Sequence, residues 1–343
     1  MKITNIKRVV SCAVLAVASL NTYAIDYSNS YVFGDSLSDV GNLRAFSGNP
    51  NISERMTNGI VNAEIVAYNL GHTLTPSLHL IPGAPRGNSY ATATAKARDE
   101  DGDEATLDFN LPTQLNAFLQ FNGWSAPSDA LYTFQFGSND IWDAFNIRAT
   151  GVLAATKEER KAAILAAKEM LKASADAEDA QIRKLIAAGA QHIVVVNAGD
   201  FGAIPLVDTV ATEMLALATS KRQERRALRL PKVATKLTVK FNKLLAKRIA
   251  KIERDTGLDI IEVDLFSLFS NIIDNADDLG FSNIDTSCIN ALPVLQGENY
   301  TVNADCTDFP IAAGFLFWDE IHPTAPVHAL TSVDTLEAIL EHQ

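Results

Sequence analysis

The chain has 343 residues, 47% of them apolar and 20% charged, a balance that buries a substantial core and excludes an intrinsically disordered chain. Its formal net charge is −12 at pH 7, and so acidic a surface argues against nucleic acid and anionic membranes as partners.

Lys2, Lys7 and Arg8 precede an apolar stretch from Val9 to Leu20, and Thr22-Tyr23-Ala24 then supplies small residues at an exit. This is the layout of a secretory signal peptide over 1–24, cleaved after Ala24. A membrane anchor would need ~20 uninterrupted apolar residues, whereas Ser11, Ser19 and Asn21 break this run. Later apolar runs are shorter still, so the mature chain 25–343 is expected to carry no transmembrane segment and to reach the periplasm or the medium. Loss of the three leader cations takes the net charge from −12 to −15.

Four short β-rich runs, Tyr31 to Phe33, Leu131 to Phe136, His192 to Val196 and Asp259 to Val263, are separated by segments of helical spacing. The clearest helices are expected over Lys157 to Ala188, Thr209 to Arg229 and Val233 to Arg254, with Pro231 as a break and Gly189 and Gly257 as C-terminal stops. That alternation predicts an α/β fold with a parallel sheet between helical layers. No repeat or Pro/Gly/Ser-rich linker divides 25–343, which reads as a single domain. The acidic run Asp99 to Glu104 lacks the ligand spacing of a calcium loop and reads as a solvated loop.

The first strand runs into Phe33-Gly34-Asp35-Ser36-Leu37-Ser38-Asp39, with Gly41-Asn42 following. Parallel sheets bind ligands at the carboxyl ends of their strands, and a serine there can have an oxyanion held by backbone N–H groups. On these facts alone Ser36 reads more readily as a helix cap. The second strand ends at Gly137-Ser138-Asn139-Asp140, where the Asn139 amide is either a donor to a developing oxyanion or an ordinary turn residue. Near the C-terminus, Asp319 stands three residues before His322, a spacing that lets one turn present both side chains, the carboxylate fixing the imidazole tautomer.

Cys12 belongs to the leader, which leaves Cys288 and Cys306 as an even pair in an exported chain, and a disulfide between them is expected. With 17 intervening residues, chain entropy assigns such a loop about 3 kcal/mol. Two sulfurs without a neighbouring histidine fall short of a zinc set. His72, His79, His192, His328 and His342 have no comparable neighbours and read as structural or exposed, Trp124 and Trp142 as residues packed in or near the core. Trp142, close after Asn139, is a candidate wall of an acyl pocket.

Taken together, FGDSLSDVGN, GSND and DEIHPT occur in the order of, and resemble, the first, third and last sequence blocks of the GDSL family of SGNH hydrolases. Arg55-Met56-Thr57-Asn58-Gly59 and Asn197-Ala198-Gly199-Asp200-Phe201-Gly202-Ala203-Ile204-Pro205 extend the similarity across nearly the whole mature chain. The resemblance implies a three-layer, flavodoxin-like α/β/α hydrolase in which Ser36 is the nucleophile and first oxyanion donor, Asn139 a further donor, His322 the base then acid, and Asp319 its orienter. The family's second block departs from its usual form: Ser89-Tyr90-Ala91-Thr92-Ala93-Thr94-Ala95 places Thr94 where a glycine N–H normally completes the oxyanion hole. The implied activity is carboxylic ester hydrolysis, needing no metal or organic cofactor, on a small-molecule or lipid-like ester such as a lysophospholipid, with acyl transfer as a variant outcome. Carbohydrate deacetylation is the alternative enzyme reading, and a decayed binding protein is the alternative from another class.

Overall fold

Each of the four runs is a strand, because segments rich in Val, Ile, Phe and Tyr suit a sheet covered on both faces, the exposed Glu262 of the last run being an exception. In the computed structural model, which describes residues 26–84, 86–100, 108–291 and 299–342, they are β1 (Ser30–Gly34), β2 (Leu131–Gln135), β3 (His192–Val196) and β4 (Ile261–Val263). All pair in parallel in that order. The expected leader and its cleavage site lie outside the described residues, as do positions 101–104 of the acidic run.

On the free edge of β1 the segment around Ser89 runs parallel through a single bridge at Val32, with Val32 N donating to Asn88 O, Tyr90 N to Val32 O and Thr92 N to Gly34 O at 2.7–3.1 Å. β1 is thus flanked on each side by chain that comes later in sequence. This is the switch point at which open α/β sheets leave a crevice beyond the strands' carboxyl ends.

The helices follow in chain order: α1 (Asn42–Ser47), α2 (Asn62–Asn69), α3 (Leu111–Phe121), α4 (Ser138–Thr150), α5 (Lys157–Ala187), α6 (Pro205–Ala216), α7 (Lys221–Ala227), α8 (Leu230–Thr256), α9 (Leu265–Asp274), α10 (Ala276–Leu279) and α11 (Ala325–Glu341). α5 starts where it does because Thr156 and Glu159 form a reciprocal capping box. Gly257, in the left-handed conformation at φ 73°, ends α8. Pro231 sits in the first turn of α8, where a missing N–H costs nothing.

One expected helix is corrected. Thr209 to Arg229 is two helices, because Ser220 caps α7 through the N–H of Gln223 while the Gln223 side chain accepts from Thr219 N at 2.8 Å. The Ser-x-x-Gln box stops one helix and starts the next.

The core beneath the β1 turn is aromatic. Phe33 stacks on Tyr90 and Phe134 at centroid distances of 5.5 and 5.1 Å and meets the edge of Phe118 at 5.6 Å. All four rings are fully buried, each worth roughly 1.5–3 kcal/mol of apolar burial. Trp142 packs against this core, whereas Trp124 does not. It is 62% exposed and sits at φ 63° in the turn that ends α3, which corrects its expected placement.

Small strands carry the C-terminal segment. β5 (Asn283–Ser287) pairs in parallel with β8 (Phe315–Phe317), and β6 (Ile289–Asn290) pairs antiparallel with β7 (Thr301–Val302). Cys288 and Cys306 are bonded with Cα atoms 5.2 Å apart. The N–H groups of Cys288 and Ile289 donate to the carbonyls of Phe317 and Trp318 at 3.1 and 2.9 Å, so the disulfide stands directly behind the turn that carries Asp319 and His322.

Candidate active site

The chain leaves β1 at Gly34 and turns through Ser36. Gly34 is favoured there by close approach: a Cβ would lie 3.1 Å from the Gln135 carbonyl and 3.2 Å from Ser38 Cβ, tighter than side chains ordinarily pack. Buried Gln114, from α3, holds both polar groups of Gly34, accepting from its N–H at 3.0 Å and donating to its carbonyl at 2.8 Å. Ser38 Oγ donates to Gln135 Oε1 at 2.6 Å, tying the turn to β2.

Asp39, 1% exposed, binds the turn to the segment that departs from the family pattern. Its carboxylate accepts from the N–H groups of Gly41, Asn42 and Leu43 and, 54 residues away, from Ala93 N at 2.8 Å. Asn42 adds Nδ2 bonds to the carbonyls of Ser89 and Ala91, both 2.8 Å. Burial raises the Asp39 carboxyl, and the four N–H bonds oppose that rise.

Thr94 follows Ala93 in the left-handed region at φ 74°, where a β-branched residue is an outlier and strain of order 1–3 kcal/mol is expected. The backbone therefore keeps the shape a glycine would take. The next residue is anchored as well, since Ala95 N donates to Thr92 O at 3.1 Å and Ala95 O accepts from Asn139 Nδ2 at 2.9 Å.

Asn139 lies in the first turn of α4, entered through Gly137 at φ 110°. A Cβ on Gly137 would meet the Phe241 ring at 2.3 Å, so both conformation and space demand glycine. Asp140, fully buried, accepts from Ala97 N at 2.9 Å and Ser174 Oγ at 2.7 Å. Asn139 and Asp140 together pin the stretch 95–97 against α4.

At the C-terminal turn, His322 Nδ1 lies 2.8 Å from both oxygens of Asp319, and its Nε2 lies 2.7 Å from Ser36 Oγ. An ionised carboxylate only accepts, so Nδ1 carries the proton and Nε2 is free to accept from the serine hydroxyl. Asp319 and His322 are 5% and 8% exposed, which strengthens each of these bonds. Burial opposes charging of the ring, but the charge and hydrogen bond of Asp319, with Asp35 and Glu320 behind, hold the His322 pKa above its ordinary 6.5. Asp35 itself, fully buried beside Ser36, is pushed up to about 7 chiefly by burial.

A cavity of about 500 Å³ opens over Ser36 and His322. Leu37, Met56, Trp142, Phe201, Ile204 and Phe269 give it apolar walls, and Thr94 and Asn139 line it beside the serine. Ser36, His322, Asn139 and Thr94, from four separate parts of the chain, thus meet at one mouth, with Asp319 behind the imidazole. His328 and His79 hold structural bonds. His328 lines the cavity but its Nδ1 accepts from Asn62 N, and burial drives its pKa down to about 3. His79 bonds Ser77 Oγ at 2.7 Å, and burial lowers its pKa to about 4.

Sequence reasoning missed Gln114, Asp39, Phe201 and Phe269. The signals available were a polar residue inside the apolar pattern of α3 and the second acid of the first block.

The model of the GDSL-like lipase/acylhydrolase family matches residues 31–332. The GDSL esterase/lipase At5g45950 of Arabidopsis thaliana is 23% identical over 90% of this chain and 87% of its own length. The GDSL esterase/lipase At4g16230 of the same plant is 25% identical over 86% and 83%. Lipase 1 of Photorhabdus luminescens is 24% identical over 91% of this chain, which spans 50% of that relative. Among the described residues no helix is long and apolar enough to cross a membrane.

Proposed function

Because the chain belongs to the GDSL-like lipase/acylhydrolase family and is a carboxylic ester hydrolase, we propose that it works through an acyl-Ser36 intermediate on lipid-like esters. The observation that carries this is the 2.7 Å contact of His322 Nε2 with Ser36 Oγ, at the mouth of an apolar cavity.

As the Ser36 oxygen attacks the ester carbonyl, His322 takes the hydroxyl proton and the carbonyl oxygen becomes an oxyanion. The Ser36 and Thr94 N–H groups and one hydrogen of the Asn139 amide serve as its donors, the other amide hydrogen being spent on Ala95. His322 then passes the proton to the leaving alkoxide, which departs as the alcohol. Water, deprotonated by the same ring, attacks the acyl-enzyme, and collapse returns Ser36 and the free acid. An acceptor alcohol in place of water turns the same sequence into acyl transfer.

Leu37, Met56, Trp142, Phe201, Ile204 and Phe269 favour an acyl chain over the compact polar ring of a sugar acetate. The signal-like composition of residues 1–24 supports export of this chemistry, and the lack of a linker-like stretch in the sequence supports reading 25–343 as a single domain.

Rates on p-nitrophenyl esters from acetate to palmitate, with Ser36→Ala as control, test the reading. Rates that rise beyond acetate and vanish in the variant support it. A strict acetate preference would move the substrate to acetylated carbohydrate, and hydrolysis retained by the variant would reject Ser36. N-terminal sequencing of protein recovered outside the cytoplasm checks cleavage after Ala24.

A further inference from the structure

A second cavity, of about 550 Å³, lies away from the serine among the C-terminal end of α4, the first turns of α5, α7 and the start of α8. Six cations line it, Arg148, Arg160, Arg226, Arg229, Lys232 and Lys236, and no acid does. In a chain of net charge −12 such a concentration is against the average. Among the described residues none of the six pairs with a carboxylate. Arg226 donates to Val152 O and Arg160 to the carbonyls of Ala154 and Thr156, which orients both guanidiniums without neutralising them.

Burial lowers the pKa of Arg148, and burial followed by repulsion from Arg160 and Arg222 lowers that of Arg226. The cavity also receives a helix N-terminus. α8, 27 residues long, begins at Leu230 with no side chain capping it, so the positive end of its dipole adds to the six charges.

The pocket opens on the same side of the sheet as Ser36. α5 and α8 run antiparallel to the strands they precede and are about 46 and 40 Å long, whereas a five-residue strand is about 17 Å. Their N-terminal turns therefore overshoot the sheet past its carboxyl edge. Leu228, next to Arg229, is 66% exposed, and Leu165, next to Ile164 of the lining, is 59% exposed.

We propose that this pocket binds a phosphate-bearing anion, the guanidiniums supplying fork-like donors and the lysines point charges. The same chemistry belongs to free phosphate and to the headgroup of an anionic lipid, and the two exposed leucines suit a ligand attached to acyl chains. The site is independent of the ester chemistry at Ser36.

The test compares the full chain with a Lys232→Ala/Lys236→Ala variant, both residues being exposed, and with Arg229→Gln as a second, single change. One arm titrates inorganic phosphate calorimetrically. The other measures sedimentation with vesicles of phosphatidylcholine alone and of phosphatidylcholine mixed equally with phosphatidylglycerol. Binding in at least one arm, weakened about tenfold or more in the double variant at unchanged p-nitrophenyl butyrate turnover, is expected. Preference for the mixed vesicles without phosphate affinity assigns the ligand to lipid, and phosphate affinity alone assigns it to the free ion. Absence of binding in both arms, or binding undiminished in both variants, overturns the proposal.

Discussion

His322 Nδ1 is equidistant, at 2.8 Å, from the two carboxylate oxygens of Asp319. Oδ1 of that carboxylate also accepts the N–H groups of Ile321 and His322, each at 2.8 Å. The turn that brings the acid to the ring thus immobilises the acid by its own backbone, and the ring can rotate only by breaking a buried, charge-assisted bond.

Ser36→Ala and His322→Ala are each expected to lower kcat/KM by about 10³-fold or more while leaving the fold intact, because they delete the proposed nucleophile and base. Steady-state rates beside circular dichroism melts check this. Either variant retaining a tenth of wild-type activity would reject its assigned role.

With His322 held above 6.5, the ring stays protonated, and unable to accept the serine proton, to a higher pH than a free imidazole. The acid limb of kcat/KM should therefore have its midpoint above 6.5. Asp319→Asn removes the stabilising charge, so its limb should move to lower pH and its plateau should fall, less steeply than in His322→Ala. An unmoved limb would show that another group titrates.

Thr94→Gly should keep or raise activity, since glycine retains the N–H and adopts φ 74° without strain, although the freer unfolded chain costs some stability. Asn139→Ala should slow the chemical step by about 10²-fold or more. Single-turnover rates and melts, taken separately, distinguish the two effects. A folded but inactive Thr94→Gly would mean that the threonine hydroxyl or methyl is itself needed.

Glu178, fully buried on α5, has no hydrogen-bond partner for either carboxyl oxygen among the described residues. Burial, reinforced by Asp140 and Asp35, pushes its pKa from 4.5 to about 8. The fold therefore binds a proton that the unfolded chain releases above 4.5, and this contribution to stability is full below that pH and lost as pH rises through about 8. Glu178→Gln should flatten the decline in Tm across that window. A decline as steep as that of the wild type would show that other groups govern it.

Cys288→Ala/Cys306→Ala should cost about 3 kcal/mol. Hydrogen exchange should rise first around Phe317 and Trp318, whose carbonyls accept from Cys288 and Ile289. Uniform loosening of the sheet instead would place the stabilisation elsewhere, and mass mapping that finds free thiols in the native protein would remove the premise.

The parallel strands were legible because each is a short, mostly apolar run rich in β-formers between helical segments, and the Asp319–His322 pair because its partners are three residues apart. The bonds that shape the site were not. Gln114 reaches Gly34 across 80 residues and Asp39 reaches Ala93 across 54, and no local pattern encodes either. The pairing of the Ser89 strip along β1 was not legible because its alternation of Ala and Thr is weakly apolar and it meets β1 through one bridge. Thr209 to Arg229 read as one helix because strong helix formers stand on both sides of Ser220, whereas the capping bond there is a matter of three residues.

Thr94 is held from both sides, through Ala93 by Asp39 and through Ala95 by Asn139. A residue kept in an unfavourable conformation by its neighbours behaves like a compressed spring between two stops, and removing one stop lets it extend. Asn139→Ala would take away a proposed donor and also a stop, so part of its expected damage would come from Thr94 relaxing out of register. Glycine at 94 has nothing to release. Combining Thr94→Gly with Asn139→Ala should therefore be less harmful than the product of the two separate effects, and the shortfall measures how much of the oxyanion hole is maintained by tension. With threonine where the family's second block has glycine, the two proposed donors form one mechanical unit, which further substitution can reshape only together.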